Sequence, residues 1–430
     1  MRIPQNLIVD LASSAAGDAA RVGPKAANLA ALARAGLPTP GGFCLTAAAY
    51  RLQIARLGLT AGLEEYARAS ERDKRRLSID IRLKLYEGPI AAEILEPLFA
   101  AWEAQREKSG APGVVRSSAL IEDLEDASFA GQFESFLGLS STDEMVTAVR
   151  ACWAALRTTD TRRYMEAHEL GPAGTAMAAL IQPLVAARAS GGGLSRTPDG
   201  TTLLSATWGL GSAIAQGEVV SDRIVVDRSG AVLGIEPGRK DHSDGCSHRL
   251  GAKSRPVRAT LVGEPSLGTS DAEELGRMML AAERIRGGPV EIEWALDDSG
   301  FVLLQSRPLH VQPVAVPDEI WLRHPGLKGH PAGVGWGAGR GVVVRCECEL
   351  SRVGPGDILV TGVAGPALGQ ILPRVGGVVT ELGGSTSHLA ALARERGVPM
   401  VLGVPGATRT IPDGAQVAVD GVAGIVRWIR

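Results

Sequence analysis

His388 follows a run of glycines and hydroxyl side chains that suits the handling of phosphate. The double glycine at 383–384 permits a sharp turn and leaves room for a bulky anion. The hydroxyl residues at 385–387 can cap a helix or donate to phosphate oxygens. Helical periodicity over 388–396 puts His388 at a helix N-terminus, where partial positive charge stabilises phosphate and favours the neutral imidazole. A neutral ring nitrogen is a nucleophile toward phosphorus.

A histidine at a helix start can also be a capping or packing residue with no chemistry. That alternative leaves the double glycine and the three adjacent hydroxyls without an explanation. We therefore treat His388 as a candidate phosphate carrier.

A second segment with suitable chemistry surrounds Arg116. The guanidinium of Arg116 can clamp two oxygens, and the Ser- and Gly-rich stretch at 127–135 can fold over phosphates with its backbone amides. The alternative is a surface salt bridge beside a polar turn.

Two short β-like runs around residues 293 and 305 predict a hairpin. Alternation along the strands puts Glu291 and Glu293 on one face, and Gln305 and Arg307 on one face of the partner strand. Carboxylate and amide oxygens are the ligands that Mg²⁺ prefers, and Arg307 can neutralise charge on a transferred group. The alternative is an ordinary cross-strand ion pair with Arg307.

The elements that must position these residues change in character along the chain. Helical patterning dominates 45–102, whereas short β-like runs separated by Gly, Ser and Asp begin near residue 114. The glycine triplet at 191–193 predicts a turn or flexible loop between two strands. Three prolines within 308–317 predict a stiff, extended linker, followed by a Gly- and Val-rich block of short strands at 326–430.

Bulk composition restricts the class of protein. The formal net charge of the 430 residues is −2 and no basic stripe is visible, which disfavours nucleic-acid binding. No apolar stretch is long enough to predict a membrane span, and the N-terminus lacks the pattern of a signal peptide. Five cysteines do not suggest a disulfide framework, so we expect a cytoplasmic protein.

The sequence contains neither a Walker A motif nor the G-x-S-x-G or H-E-x-x-H patterns of hydrolases.

Residues 380–399 resemble the phosphohistidine signature of the family that contains phosphoenolpyruvate synthase, pyruvate phosphate dikinase and rifampin phosphotransferase. Residues 115–135 are similar to the ATP-grasp nucleotide-binding lobe of the same family. Residues 22–29 resemble its Gly-Gly-Lys opening, with Pro24 in place of a glycine. Glu381 stands where the family more often has Asp, which is a minor departure.

The resemblance implies an α/β (α+β) fold: an ATP-grasp-like nucleotide-binding module and a small swivelling β/α phosphohistidine domain. It predicts the module over 1–311 with a hinge near 182–190, a Pro-rich linker at 312–325 and the phosphohistidine domain over 326–430. It implies these nucleotide-binding residues: Lys25, Arg116, Gly131, Ser135, Gln182, Glu293, Gln305 and Arg307. Among them Glu293 and Gln305 are the implied Mg²⁺ ligands, and the implied catalytic residues are His388, Arg307 and Arg116.

The activity implied by the resemblance is phosphoryl transfer from Mg·ATP to His388, with release of AMP and phosphate. Two alternatives stay open: a phosphorelay or regulatory subunit that donates to a partner protein, and an ATP-grasp ligase that forms an acyl phosphate. The implied partner is a small-molecule acceptor, bound by this chain or by a separate acceptor-domain protein. Because family members normally carry a third, acceptor-binding domain that we do not find here, we expect the separate protein.

Overall fold

The computed structural model describes residues 7–122, 133, 135–167, 175–247, 251–311, 321, 324, 326–363 and 365–429. The α-helices within these ranges are α1 (Ala19–Arg34), α2 (Ala47–Arg56), α3 (Thr60–Arg68), α4 (Glu71–Glu87), α5 (Ala92–Ser109), α6 (Thr142–Ala155), α7 (Thr159–Ala167), α8 (Ser212–Ala215), α9 (Thr269–Arg286), α10 (His388–Glu395) and α11 (Ala407–Thr410). Short 3-10 helices lie at Ser14–Gly17, Ala259–Leu261, Glu347–Arg352, Pro366–Gln370 and Leu372–Arg374.

The strands in the same ranges fall into four sheets. They are β1 (Ile8–Asp10), β2 (Phe43–Leu45), β3 (Gly113–Ala119), β4 (Ser135–Leu139), β5 (Met177–Pro183), β6 (Ala189–Leu194), β7 (Thr202–Trp208), β8 (Asp222–Val226), β9 (Val232–Glu236), β10 (His242–Ser247), β11 (Gly251–Pro256), β12 (Val290–Asp297), β13 (Gly300–Pro308), β14 (Gly326–Lys328), β15 (His330–Pro331), β16 (Trp336–Val344), β17 (Ile358–Thr361), β18 (Gly377–Thr380), β19 (Met400–Leu402), β20 (Gln416–Asp420) and β21 (Ile425–Ile429). The mixed α and β composition predicted from the sequence is confirmed.

The chain divides into two compact units, and the first comprises Met1–Ala186, Cys246–Lys253 and Val302–Arg307. Its five-stranded sheet has the order β1-β2-β5-β3-β4. The core beside this sheet includes Trp102, Trp153 and Tyr50, each at most 1% exposed. Burying such large aromatic side chains contributes much of the hydrophobic stabilisation of a small core.

The second unit comprises Ala187–Gly245, Ser254–Phe301 and Pro308–Arg430. Its strands β12-β6-β7-β8-β9 are neighbours in that order in a six-stranded sheet, and another of its sheets has the order β14-β21-β20-β16-β17-β18-β19-β15. Strands β16 to β19 pair in parallel. Parallel neighbours need a crossover connection, and α10 supplies the one between β18 and β19. The helix that carries His388 therefore lies at the end of a buried parallel strand.

The glycine triplet at 191–193 does not form the turn predicted from the sequence. It lies inside β6, in the middle of the six-stranded sheet. A Cβ atom on Gly191 would come within 1.9 Å of the carbonyl oxygen of Ser205, and one on Gly193 would meet Met279 at 2.8 Å. Close approach of neighbouring groups, rather than a need to turn, requires glycine in this strand.

The lone Cys-x-Cys pair is not part of a strand. Cys346 is the N-cap of the 3-10 helix that begins at Glu347. The two cysteines are joined to each other as a disulfide.

The domain division predicted from the sequence stays a prediction. The boundary between the compact units falls at 186–187, inside the predicted hinge range, and 326–430 belongs to the same unit as β6 and β12. Most of the predicted linker at 312–325 lies outside the described residues, which include only Trp321 and His324 of that segment.

Candidate functional site

His388 is the first residue of α10, as the sequence predicts. Ser387 is the N-cap, and its hydroxyl accepts a hydrogen bond of 3.2 Å from the backbone N–H of Ala390. Gly383 has a φ of 106°, which a residue with a side chain rarely adopts, so the turn before the helix requires glycine. His388 is half-buried, whereas the apolar residues that follow it on α10 are buried. The local geometry therefore presents His388 at the edge of a well-packed helix.

The loop before His388 rests on β6. A Cβ atom on Gly192 would lie only 2.5 Å from Cβ of Thr386, so the loop occupies the space that a side chain at residue 192 would need. Gly384 approaches the residue that precedes β8 in the same way, because a Cβ atom there would lie 2.3 Å from the hydroxyl of Ser221. Two glycines thus allow the histidine loop to contact the six-stranded sheet closely.

This contact places the loop beside a predicted metal ligand. Gly192 on β6 is the direct cross-strand partner of Glu293 on β12. Directly paired residues project from the same face of an antiparallel sheet, with Cβ atoms roughly 5 Å apart. Since Thr386 lies on that face at Gly192, the segment that carries His388 is a neighbour of Glu293. The structure therefore brings the segment of His388 close to Glu293, although about one hundred residues separate the two in the sequence.

A buried ion pair also joins α10 to β12. Nη2 of Arg394 lies 2.8 Å from Oε2 of Glu291, and both side chains are less than a tenth exposed. Nη1 of Arg394 donates to the carbonyl oxygens of Ser385, at 2.5 Å, and Ala332, at 3.2 Å. Glu291 and Glu293 are two residues apart on one strand and so share a face. The helix of His388 is consequently fixed to the face of β12 that carries Glu293.

The first unit gathers several of the predicted nucleotide-binding residues. Lys25 follows a break in α1 at Gly23, whose φ is 78° and where a Cβ atom would meet the backbone of Ser118 at 2.4 Å. The ammonium of Lys25 lies 2.7 Å from Oε1 of Glu122 and donates to the carbonyl oxygen of Ser117 at 3.0 Å. Lys25 is therefore held in a buried ion pair beside β3.

Arg116 on β3 is the centre of a second set of contacts in this unit. Its guanidinium donates to the carbonyl oxygen of Leu304 at 2.9 Å and to Oε1 of Gln305 at 3.1 Å. Ser135 on β4 is its direct cross-strand partner and is exposed. The structure thus places Ser135 and Gln305 beside Arg116, and the nucleotide-binding role predicted for the three residues stays a prediction.

The remaining predicted nucleotide-binding residues differ in their surroundings. Gln182 is buried on β5, and its side-chain amide donates to the carbonyl oxygen of Gly41 at 2.9 Å. Arg307 is buried on β13, next to Ser306, whose carbonyl oxygen accepts a 3.1 Å hydrogen bond from Asn28 on α1. Gly131 lies outside the described residues. The roles predicted for these side chains stay predictions.

The magnesium site predicted from the sequence stays a prediction. Among the residues that the structure describes, no group of three or more His, Cys, Asp or Glu side chains forms a dedicated metal site. Mg²⁺ in phosphate-transfer proteins commonly takes only one or two protein oxygens and completes its shell with phosphates and water. Glu293 is half-buried on β12, and the magnesium-binding role predicted for it stays a prediction.

Sequence reasoning did not identify three of the residues that organise these sites. Glu122 pairs with Lys25, Arg394 pairs with Glu291, and Gly192 receives Thr386. The one usable signal was the glycine at residue 192, because a glycine inside a strand marks the close approach of another group.

None of the helices in the described part of the chain combines the length and hydrophobicity that a bilayer crossing needs.

The sequence matches two known families along most of its length. Residues 19–321 match the family described as "Pyruvate phosphate dikinase, AMP/ATP-binding domain". Residues 353–424 match the family described as "PEP-utilising enzyme, mobile domain". The first match covers more than half of the chain, and the second includes the loop and helix of His388.

Several curated proteins are similar to nearly all of this chain. The probable phosphoenolpyruvate synthase of Methanothermobacter thermautotrophicus is 30% identical over 95% of this chain and 61% of its own length. The phosphoenolpyruvate synthase of Aeropyrum pernix is 31% identical over 94% of this chain and 56% of its own. That of Pseudomonas aeruginosa is 30% identical over 98% and 58%. The chain therefore spans somewhat more than half the length of these relatives.

The resemblance stated from residues 115–135 and 380–399 is confirmed by these matches, as is the fold it implied, an ATP-grasp-like domain followed by a mobile domain. This chain belongs to the pyruvate phosphate dikinase family of phosphoenolpyruvate-utilising enzymes.

Proposed function

We propose that the chain is an ATP-dependent phosphotransferase of the dikinase type that forms phospho-His388 from Mg·ATP. One observation carries the proposal: Thr386, two residues before His388, packs against Gly192. Gly192 is the cross-strand partner of Glu293. The candidate nucleophile is thereby held beside a candidate metal ligand. Membership of a family described by an AMP/ATP-binding domain supports the same conclusion.

The proposed reaction has three steps at the histidine. A ring nitrogen of His388 attacks the β-phosphorus of ATP, and the bond from that phosphorus to the oxygen bridging the α-phosphorus breaks, so that AMP leaves. Water then cleaves the pyrophosphorylated histidine at its terminal phosphorus, which releases phosphate and leaves phospho-His388. The acceptor finally takes the remaining phosphoryl group and regenerates the imidazole.

The side chains named above have separate tasks in this scheme. Arg116, Ser135 and Gln182 would hold the nucleotide, with Lys25 and Arg307 neutralising charge on its phosphates. Glu293 and Gln305 would hold Mg²⁺, which supplies charge neutralisation at the transferred group when it is bound. A cytoplasmic location, predicted from the sequence, suits a reaction that consumes ATP.

Phospho-His388 needs an acceptor for its phosphoryl group. We infer a small molecule that is bound by a separate acceptor-domain protein. A carrier that moves between two half-sites suits a reaction whose two steps cannot share one pocket.

The proposal is tested by incubating the purified chain with ATP labelled at the β-phosphorus. We expect acid-labile, base-stable label on the protein and about one AMP released per chain, since only one histidine is loaded. His388→Ala should abolish the label while leaving nucleotide binding close to wild type, because the side chain is half-buried at a helix end.

The products distinguish this function from the alternatives. If His388→Ala is labelled as strongly as the wild-type chain, His388 is not the residue that carries the phosphoryl group. Release of ADP instead of AMP would indicate an acyl-phosphate-forming ligase. ATP-dependent label that passes only to another protein would indicate a phosphorelay subunit.

A further inference from the structure

The Arg394–Glu291 pair joins two parts of the second unit that the family matches assign to different domains. Arg394 lies in the segment matched by the mobile domain, and Glu291 lies in the segment matched by the AMP/ATP-binding domain. Their side chains lie 2.8 Å apart and are 8% and 6% exposed. A contact of this kind is formed only when the histidine domain lies against the strand that also carries Glu293.

We propose that Arg394 and Glu291 are positioning residues that hold the His388 loop in register for the ATP half-reaction. We call the pair the docking clamp. The proposal rests on the proposed function, because it supposes that His388 receives a phosphoryl group near Glu293. Arg394 and Glu291 thus position the histidine loop, and neither residue takes part in the chemical steps.

The geometry of Arg394 explains how the clamp reaches His388. The two residues are six positions apart on α10, which corresponds to a rise of about 9 Å. Arg394 also donates to the carbonyl oxygen of Ser385, in the loop immediately before the histidine. One rigid guanidinium therefore connects the loop, the helix and Glu291, so that the position of β12 determines the position of His388.

The electrostatics of the pair suit a contact that must also separate. Removing two charges from water offsets much of the attraction that they gain in the interior, so a buried ion pair selects an orientation more than it adds affinity. When the histidine domain moves away from β12, water can solvate Glu291 again. Arg394 would keep its carbonyl acceptors Ser385 and Ala332, which belong to its own domain.

Other groups at the same contact fit a temporary association. The hydroxyls of Thr386 and Ser221 are buried there, and each lacks a hydrogen-bond partner among the described residues. Buried polar groups in permanent cores are nearly always satisfied. Thr386 lies on Gly192 and Ser221 lies against Gly384, so both hydroxyls belong to the docking contact and not to either core. Both could bind water once the domain moves away.

The test compares the wild-type chain with Glu291→Gln, which keeps the shape and removes the charge. We expect the initial rate of His388 labelling from β-labelled ATP to fall roughly tenfold to hundredfold, since small misplacements of reacting groups have effects of that size. Labelling by phosphoramidate, a small donor that requires no docking, should be as fast as in the wild type or faster. The nucleotide dissociation constant should not change, and Glu291→Asp should give an intermediate rate.

A matched control is Glu283→Gln. Glu283 is another buried carboxylate of the second unit, and its ion pairs are with Arg196 and Arg228 and not with α10. This control should label at close to the wild-type rate. Unchanged ATP labelling in Glu291→Gln would overturn the clamp, as would weaker nucleotide binding or equal loss of labelling with both donors.

A readout independent of catalysis separates failure of the clamp from failure of the proposed function. Spin labels at residues 233 and 374, both exposed, report the distance between the six-stranded and eight-stranded sheets in a Cys246→Ser background. We expect Glu291→Gln to broaden the distance distribution or add a second population. An unchanged distribution would overturn the clamp, whereas absence of ATP labelling in the wild-type chain would overturn only the proposed function.

Discussion

His330, on β15, is a buried histidine that sequence inspection did not single out. Burial lowers its pKa to about 4, the Arg223 guanidinium acts in the same direction, and the carboxylates of Glu236 and Asp222 oppose it. Its Nδ1 atom has no hydrogen-bond partner among the described residues. The folded protein therefore holds this imidazole in the neutral form at neutral pH.

The consequence is a loss of stability in acid. The unfolded chain binds a proton at His330 near the ordinary pKa of about 6.5, whereas the folded chain binds it only near pH 4. Stability is therefore complete above about pH 6.5 and falls as the pH decreases toward 4. Between pH 7 and pH 5 this histidine should account for about 2 kcal/mol of lost unfolding free energy.

Chemical denaturation at those two pH values, in the wild type and His330→Leu, measures this contribution. The difference between the two pH values should be smaller in the variant by about that amount. The same pH dependence in both proteins would show that His330 is not the group responsible.

At the scale of elements, strand β6 determines whether the histidine loop can approach. Gly192→Ala should leave the strand folded, because alanine is compatible with extended backbone, but its methyl group would occupy the place of Thr386. We expect the rate of ATP-dependent labelling of His388 to fall roughly tenfold or more. Rapid-quench measurement of labelled protein gives this rate.

The control for this substitution is Gly234→Ala on β9, where a Cβ atom would have no neighbour within 4 Å. Both variants should show wild-type circular dichroism. If Gly192→Ala labels as fast as Gly234→Ala, the loop does not need the contact with β6 in order to react.

At the scale of the whole molecule, we expect that phosphorylation of His388 by ATP can be separated from transfer of the phosphoryl group to an acceptor. With ATP alone, the purified chain should release about one AMP per chain and then stop, because phospho-His388 has no acceptor. Adding pyruvate-like, phenolic or amino-acid acceptors should not restart AMP release if a separate protein binds the acceptor. Sustained AMP release with a small molecule and no second protein would refute that part of the proposal.

The local features of the fold could be predicted from the sequence because they depend on neighbouring residues. The glycine turn, the Ser387 cap and the start of α10 at His388 all lie within a few positions of one another. Short β-like runs form strands as expected, for example β7 and β8 after residue 114 and β17, β18 and β20 in the Gly- and Val-rich block. The turn predicted at 191–193 failed because glycine serves close packing there as readily as it serves a turn.

The sequence by itself determined that a histidine at a helix N-terminus and a set of residues suited to phosphate binding occur in one chain, since residue types and short spacings carry that information. Only the tertiary structure decided which of these features meet. Arg394 reaches Glu291 across 103 residues, and Lys25 reaches Glu122 across 97. No local pattern encodes such pairs, because they arise when strand register and helix packing bring distant backbone segments to the same face of a sheet.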